Sequence, residues 1–190
     1  MPHASSCSRI FISISAEAIL VPTVPENLPE PWLRGPISSV SALIAPVLYS
    51  FEQAREDLAK HTQELTTEQI WARPAGLPAV GFQLRHIAGS VDRLMSYLSG
   101  KQLDEAQLTA LRDEMEPGES REALLALLNQ VLQSAEEQIR AIDPATLADP
   151  RVVGRQRLPT TVAGLMIHIA EHTQRHVGQA ITTAKVVLGL

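Results

Sequence analysis

The stretch LPTTVAGLMIHIAEHTQRHVGQ, residues 158–179, gives the most direct indication of the fold. It opens with Thr160 and Thr161, either of which can cap the N-terminus of a helix. Apolar residues then recur at the spacing of three and four that is typical of an amphipathic helix. The predicted buried stripe consists of Val162, Leu165, Ile169, Ala180 and Val187. We therefore predict a long helix from the threonines to about Val187.

Three further segments show the same period, and together they favour an all-α four-helix bundle. They run from about Pro46 to His61, from about Val80 to Ser99 and from about Ser120 to Ile142. Short helical turns are predicted at Thr66–Gln69, where a capping box can form, and at about Asp104–Asp113. Residues 143–159 contain three prolines and a glycine, and they are predicted to be a loop.

The N-terminal part differs in composition from the rest of the chain. Residues 1–37 contain repeated prolines and lack a helical period, which predicts an extended arm. Residues 38–190 then form one domain.

Composition narrows the classes of function. The formal net charge is −5 with acids and bases interspersed, so no basic surface for nucleic acid is expected. Cys7 is the single cysteine, which excludes an intramolecular disulfide and fits a reducing cytoplasm. No apolar stretch is long enough to span a bilayer, so no membrane partner is expected.

Histidines at a spacing of four distinguish the last helix. His168, His172 and His176 all lie within nine residues of one another. His172 and His176 fall in the middle of the predicted buried stripe, where their ring nitrogens need partners. A metal ion supplies such partners, and so would an acid or a buried water. His168 lies roughly 40° off this line, at the edge of the stripe.

A third metal ligand has to come from another element. His86 is the mid-helix histidine outside the last helix, on a second strip with Ala79, Phe82 and Gly89. This strip is small or apolar and can approach a neighbouring helix closely. A surface or hydrogen-bonded histidine is the alternative interpretation, and the residues alone leave it open.

Two segments together resemble the DinB/YfiT family of small helical metalloproteins. One is the tail H-x-x-x-H-x-G-Q at residues 172–179, and the other is WARPAGLPAVGFQLRHIAGSVDRL at residues 71–94. The resemblance covers about residues 37–187. It implies an up-down-down-up bundle, usually a homodimer, in which His86, His172 and His176 bind a divalent ion such as zinc or nickel. It implies nothing about the N-terminal arm.

A three-histidine site leaves coordination positions open for water or a small-molecule substrate. The wider superfamily implies transfer of a low-molecular-weight thiol to an electrophile, whereas metal-dependent hydrolysis is the alternative. Thiol transfer is preferred because no general base is evident: Glu171 points roughly 100° away from His172 around the helix. A third class is a non-catalytic, stress-related metal-binding dimer, in which His168 or a carboxylate closes the site.

Five further side chains are candidates for lesser roles. Gln179 is expected to make a capping or interhelix contact, or to bond a ligand imidazole. Arg85 and Arg175 flank ligand histidines and are expected to be surface residues, with attraction of an anionic substrate as the alternative. Trp32 and Trp71 are expected to anchor loops onto the bundle.

Overall fold

The computed structural model describes residues 28–190, and they form a helical bundle with one small hairpin. The prediction of an all-α four-helix bundle is confirmed. The helices are α1 (Ala45–Thr62), α2 (Thr67–Ile70), α3 (Val80–Leu98), α4 (Glu105–Asp113), α5 (Arg121–Arg140) and α6 (Val162–Leu188). The strands are β1 (Pro150–Val153) and β2 (Leu158–Thr161), and short 3-10 turns occur at Pro31–Leu33, Pro74–Gly76 and Pro144–Thr146.

Local chemistry fixes the helix ends. The side chain of Thr161 accepts a hydrogen bond from the Gly164 amide at 3.0 Å and caps α6, as predicted. The predicted capping box at Thr66 is present at the start of α2. Gly100 follows α3 with φ of 76°, a left-handed conformation that glycine adopts without strain and that ends the helix.

The four long helices form a ring in the order α1, α6, α3, α5, and α5 closes it by contacting α1. Helices α3 and α6 are antiparallel: Gln83 lies opposite Gln179, and His86 lies opposite His172. Their shared groove carries the histidines.

Two pairs of helices in the ring are parallel. Along α1 and α6, Ser50 bonds Ala170, and His61, further along α1, lies within electrostatic range of Lys185. For α3 and α5, Arg85 pairs with Glu119 just before α5 begins, and Met95 and Ser134, further along the two helices, line one small cavity. These directions give the up-down-down-up topology, because the segment containing α4 crosses from the end of α3 to the start of α5.

Apolar side chains from all four long helices fill the centre of the ring. The largest fully buried members include Phe51, Leu58, Leu84, Ile87, Leu128, Leu132, Ile139 and Ile169. Burial of such side chains is the main source of stability in a fold of this kind.

The prediction of a plain loop at residues 143–159 is wrong in part. Strands β1 and β2 pair antiparallel, with Pro150 opposite Thr161 and Val153 opposite Leu158. A two-stranded ribbon has no interior position, so it tolerates prolines that a central strand would not. The Arg151 side chain donates to the carbonyl of Leu98 at 2.7 Å and fastens the ribbon to the end of α3. The ribbon thereby fixes where α6 begins.

The predicted arm lies mostly outside the described residues, which exclude 1–27 together with Cys7. Arg34 binds Glu56 on α1 through two hydrogen bonds of 2.5 and 2.7 Å. Trp32 remains 60% exposed, so the expectation that it anchors a loop is wrong. Across residues 28–190, no helix is both long and apolar enough to cross a membrane.

Candidate metal centre

Three histidines converge in the groove between α3 and α6. His86 comes from α3, and His172 and His176 come from successive turns of α6. Each offers a ring nitrogen within 4.8 Å of the nitrogens of the other two. The two Nε2 atoms of His86 and His172 lie 3.1 Å apart. The residues that the sequence singled out from distant segments are therefore neighbours.

The burial of the histidines differs from the sequence expectation. The buried stripe of α6 continues through Thr173 and Val177, whereas His172 and His176 are half-buried beside it. The interpretation that they replace core residues is thus wrong by about one position on the helix. The difference matters chemically, because a half-buried imidazole is accessible to solutes and a core imidazole is not.

A buried amide orients His176. The Nδ1 of His176 donates to Oε1 of Gln83 at 2.7 Å, and Nε2 of Gln83 donates in turn to Gln179 at 3.0 Å. Gln83 is fully buried, so its two partners satisfy both ends of the amide. This network places the proton of His176 on Nδ1 and leaves the Nε2 lone pair free. The expected interhelix contact of Gln179 is confirmed.

A buried carboxylate orients His86. The Nδ1 of His86 donates to Oε2 of Glu114 at 2.7 Å, and Arg93 donates to the other oxygen, Oε1, at 2.6 Å. Glu114 immediately follows α4, and its side chain is 5% exposed. Sequence reasoning missed Glu114, because nothing local separates it from the exposed acids around it. Phe82 also stacks on His86, with ring centroids 5.3 Å apart.

His172 carries the orphaned polar atom of the cluster. Since Nδ1 of His86 holds the proton that Glu114 accepts, His172 has to donate its own Nε2 proton across the 3.1 Å contact. Its buried Nδ1 then lacks a hydrogen-bond partner among the described residues. In this arrangement one proton lies between the Nε2 atoms of His86 and His172. A cation that accepts lone pairs from the three rings would take the place of that proton. The donor set therefore fits a divalent metal that prefers imidazole ligands.

The protonation of the site suits ligands. Burial is the first cause that lowers the pKa of His172 and of His176 to about 4, and the positive charge of neighbouring histidines adds to it. Both rings are therefore neutral at pH 7. Neutral imidazole is the form that binds metal, so no proton has to be displaced at that pH.

His168 lies at the edge of the site, as expected. Its Nδ1 donates to Glu171 at 2.7 Å, and its ring centroid lies 5.2 Å from that of His172. Glu171 also pairs with Arg175, which remains exposed as predicted. Neither His168 nor Glu171 belongs to the cluster of converging ligand atoms in the described part of the chain.

Arg85 is not the surface residue that the sequence indicated. Its guanidinium donates to the carbonyls of Asp113 and Glu116 at 2.7 and 2.6 Å and pairs with the Glu119 side chain. It also lies 4.7 Å from the centre of the Trp71 ring, whose indole donates to the Glu119 carbonyl at 2.9 Å. Trp71 therefore anchors a loop, as predicted. Together these two residues hold the α4–α5 loop, residues 114–120, against α3.

A cleft of about 580 Å³ lies between α3 and the α4–α5 segment. Its walls include Gly89, Leu127 and Val131, and Glu114 lines it as well. None of the three histidines contributes to the lining. Glu114 therefore lines this cleft and also contacts the histidine cluster through His86.

The fold and the site together define an α-helical bundle protein with a three-histidine centre. The family profile described as the DinB superfamily matches residues 50–180, more than half of the chain. The chain belongs to the DinB superfamily. Among curated proteins, no sequence matches it.

Two solved structures share the fold. A conserved protein from Enterococcus faecalis superposes with a TM-score of 0.66 at 16% identity, over 80% of this chain and 99% of its own. YfiT from Bacillus subtilis superposes with a TM-score of 0.59 at 17% identity, over 82% of this chain and 93% of its own. YfiT is described as a probable metal-dependent hydrolase with an unusual four-helix bundle topology.

Proposed function

We propose that this chain is a divalent-metal-dependent enzyme whose ion is held by His86, His172 and His176. The observation that carries the proposal is the convergence of three ring nitrogens within 4.8 Å of one another. In addition, Glu114 binds the outward nitrogen of His86, and Gln83 binds that of His176. Such outer partners are a regular feature of metal-binding histidines.

The number of ligands supports an enzyme over a closed structural site. In residues 28–190, no fourth histidine and no carboxylate joins the cluster. Three protein ligands leave positions for exogenous molecules, whereas structural zinc sites use four. A divalent ion supplies Lewis acidity, which lowers the pKa of water or of a thiol.

Transfer of a low-molecular-weight thiol to a small electrophile is the reaction that we propose first. In it the thiol sulfur forms a bond to an electrophilic carbon, the leaving group departs with its electron pair, and the thiol proton passes to solvent. The carboxylates nearest the cluster are occupied: Glu114 accepts from His86 and Arg93, and Glu171 accepts from His168 and Arg175. Hydrolysis requires a base that takes a proton from water. Thiol transfer is less dependent on such a base.

Metal-dependent hydrolysis is the second candidate, and the description of YfiT favours it. We further propose zinc or nickel as the ion and a homodimer as the assembly. Elemental analysis of the purified protein and light scattering check these two points.

Metal content tests the ligand assignment. We expect close to one divalent ion per chain in the wild type and a large loss in His86→Ala, His172→Ala and His176→Ala. His168→Ala is the matched control, because His168 lies on the same helix one turn away and outside the cluster. Full metal content in all three variants would overturn the assignment.

A paired assay separates the two reactions. The metal-loaded protein is offered low-molecular-weight thiols with 1-chloro-2,4-dinitrobenzene, and separately a series of chromogenic esters and amides. Turnover with a thiol that His172→Ala loses supports the transferase. Turnover confined to the esters or amides supports the hydrolase instead.

A further inference from the structure

The burial of Glu114 is unusual for its surroundings. Its neighbours Asp113, Met115 and Glu116 are exposed, whereas Glu114 is 4% exposed. Taking a carboxylate out of water is unfavourable unless charged and hydrogen-bonded partners replace the water. Here the partners are Arg93 and the ring of His86.

One face of α3 is shaped to receive this carboxylate. His86, Gly89 and Arg93 lie on it at helical spacing, and Gly89 faces the Glu114 side chain. A Cβ at position 89 would lie 2.7 Å from Oε1 of Glu114 and 2.8 Å from Nη1 of Arg93. These distances are too short for non-bonded atoms, so the absence of a side chain at Gly89 makes room for the pair.

The backbone of the same loop is held independently of the carboxylate. Arg85 donates to the carbonyls on both sides of Glu114, as described above. Arg85 and Arg93 thus fix the main chain and one carboxylate oxygen, respectively. The second oxygen is left in place for His86.

We propose that Glu114 is a positioning residue of the metal centre, which holds the His86 ring with its proton on Nδ1 and its Nε2 lone pair directed at the ion. The inference rests on the proposed function in that His86 is taken as a ligand. An anionic acceptor also makes the imidazole a stronger electron donor. The neutral amide of Gln83 holds the ring of His176 in the same way. The acceptor of the His86 proton is therefore charged, and the acceptor of the His176 proton is neutral.

Glu114→Gln tests the role of the carboxylate, with Glu116→Gln as the matched control on the exposed part of the same loop. We expect Zn²⁺ affinity, measured by competition with a chromophoric chelator, to fall about 10- to 100-fold in Glu114→Gln. The control should stay within about 2-fold of the wild type. The Co²⁺-loaded protein should show a changed visible spectrum in Glu114→Gln and an unchanged one in the control.

Gly89→Ala provides a second variant that keeps every charge. Alanine is the better helix former by about 1 kcal/mol, so the fold should survive while the added methyl displaces the Glu114–Arg93 pair. We expect weaker Zn²⁺ binding in this variant as well. Its use keeps the test decisive even if Glu114→Gln does not fold.

A measurement without metal separates this inference from the proposed function. In metal-free protein, long-range ¹H–¹⁵N correlation spectra report which ring nitrogen of His86 carries the proton. We expect the Nδ1–H form in the wild type and its loss in Glu114→Leu, which removes the acceptor, whereas Glu114→Gln keeps an amide oxygen that can still accept. Wild-type metal affinity in Glu114→Gln together with a retained Nδ1–H form in Glu114→Leu would overturn the inference. If the wild type binds no metal, the proposed function fails, and the spectra still decide whether Glu114 sets the His86 tautomer.

Discussion

Replacing Gln83 by leucine should destabilise the bundle and weaken metal binding together. Gln83 is fully buried between α3 and α6, and its amide makes two hydrogen bonds, to His176 and to Gln179. Leucine has a similar volume and no hydrogen-bonding group. The substitution therefore removes both contacts with little change in packing.

The magnitude follows from what each partner loses. Gln179 is exposed, so water replaces its contact and that loss costs little. The Nδ1–H of His176 is half-buried, and a buried donor without an acceptor costs about 1–3 kcal/mol. We expect the free energy of unfolding to fall by about that amount. The melting temperature should fall by roughly 2–4 °C for each kcal/mol.

Urea unfolding with EDTA present measures the stability change without a contribution from metal. Gln133→Leu is the matched control, because Gln133 lies on the exposed face of α5, and its unfolding free energy should change by less than about 0.5 kcal/mol. Zn²⁺ competition then measures the second effect, an affinity loss of about 10-fold or more. An unchanged urea midpoint and unchanged Zn²⁺ affinity in Gln83→Leu would refute the role assigned to this amide.

Three other predictions concern stability. For metal-free protein, the pKa of His172 and of His176 lies near 4 in the fold against an ordinary value of 6.5, so between these limits the unfolded chain binds more protons. The urea midpoint should therefore fall as pH falls from 6.5 to about 4, and less so in the double variant to alanine at these positions. Gly81→Ala places a methyl 2.8 Å from the Trp71 ring and should cost about 1–3 kcal/mol in thermal unfolding, whereas an unchanged melting temperature would contradict the packing described. Leu128→Ala opens a cavity in the fully buried core and should cost about 2–5 kcal/mol by urea unfolding, with a loss below 1 kcal/mol as the contrary result.

The helices could be predicted because their signals are local. Thr161 caps α6, and the sequence identifies it as one of two candidates. The predicted ends of the long helices agree with the structure to within two residues. Apolar period and capping chemistry both act over a few residues, so a single sequence contains them.

The hairpin formed by β1 and β2 could not be predicted in this way. Its strands have four residues each, too few for an alternating pattern to stand out, and each contains a proline. The contact that fastens it, from Arg151 to the end of α3, joins residues 53 positions apart. Such a contact has no trace in the local sequence.

The sequence predicted which three histidines converge, and it did not predict what surrounds them. Helical spacing brings His172 and His176 to one side of α6, and the family resemblance supplies His86. The prediction that His172 and His176 face the core was wrong by one position, because Thr173 and Val177 face it instead. Glu114 depends on a loop path that only the folded chain defines. Gly89 and Arg93 lie at helical spacing from His86, and this spacing is the part of the Glu114 site that is visible in the sequence.

The stacking of Arg85 on Trp71 gives the molecule an optical reporter beside its three-histidine cluster. Trp71 contacts the guanidinium that holds the α4–α5 loop, and its indole bonds the loop directly at Glu119. Tryptophan emission responds to the polarity and charge around the ring. Since the other tryptophan, Trp32, is largely exposed, its contribution to emission can be removed by substitution without touching the bundle. A substitution or ligand that displaces the segment containing Glu114 should therefore change the fluorescence of Trp71.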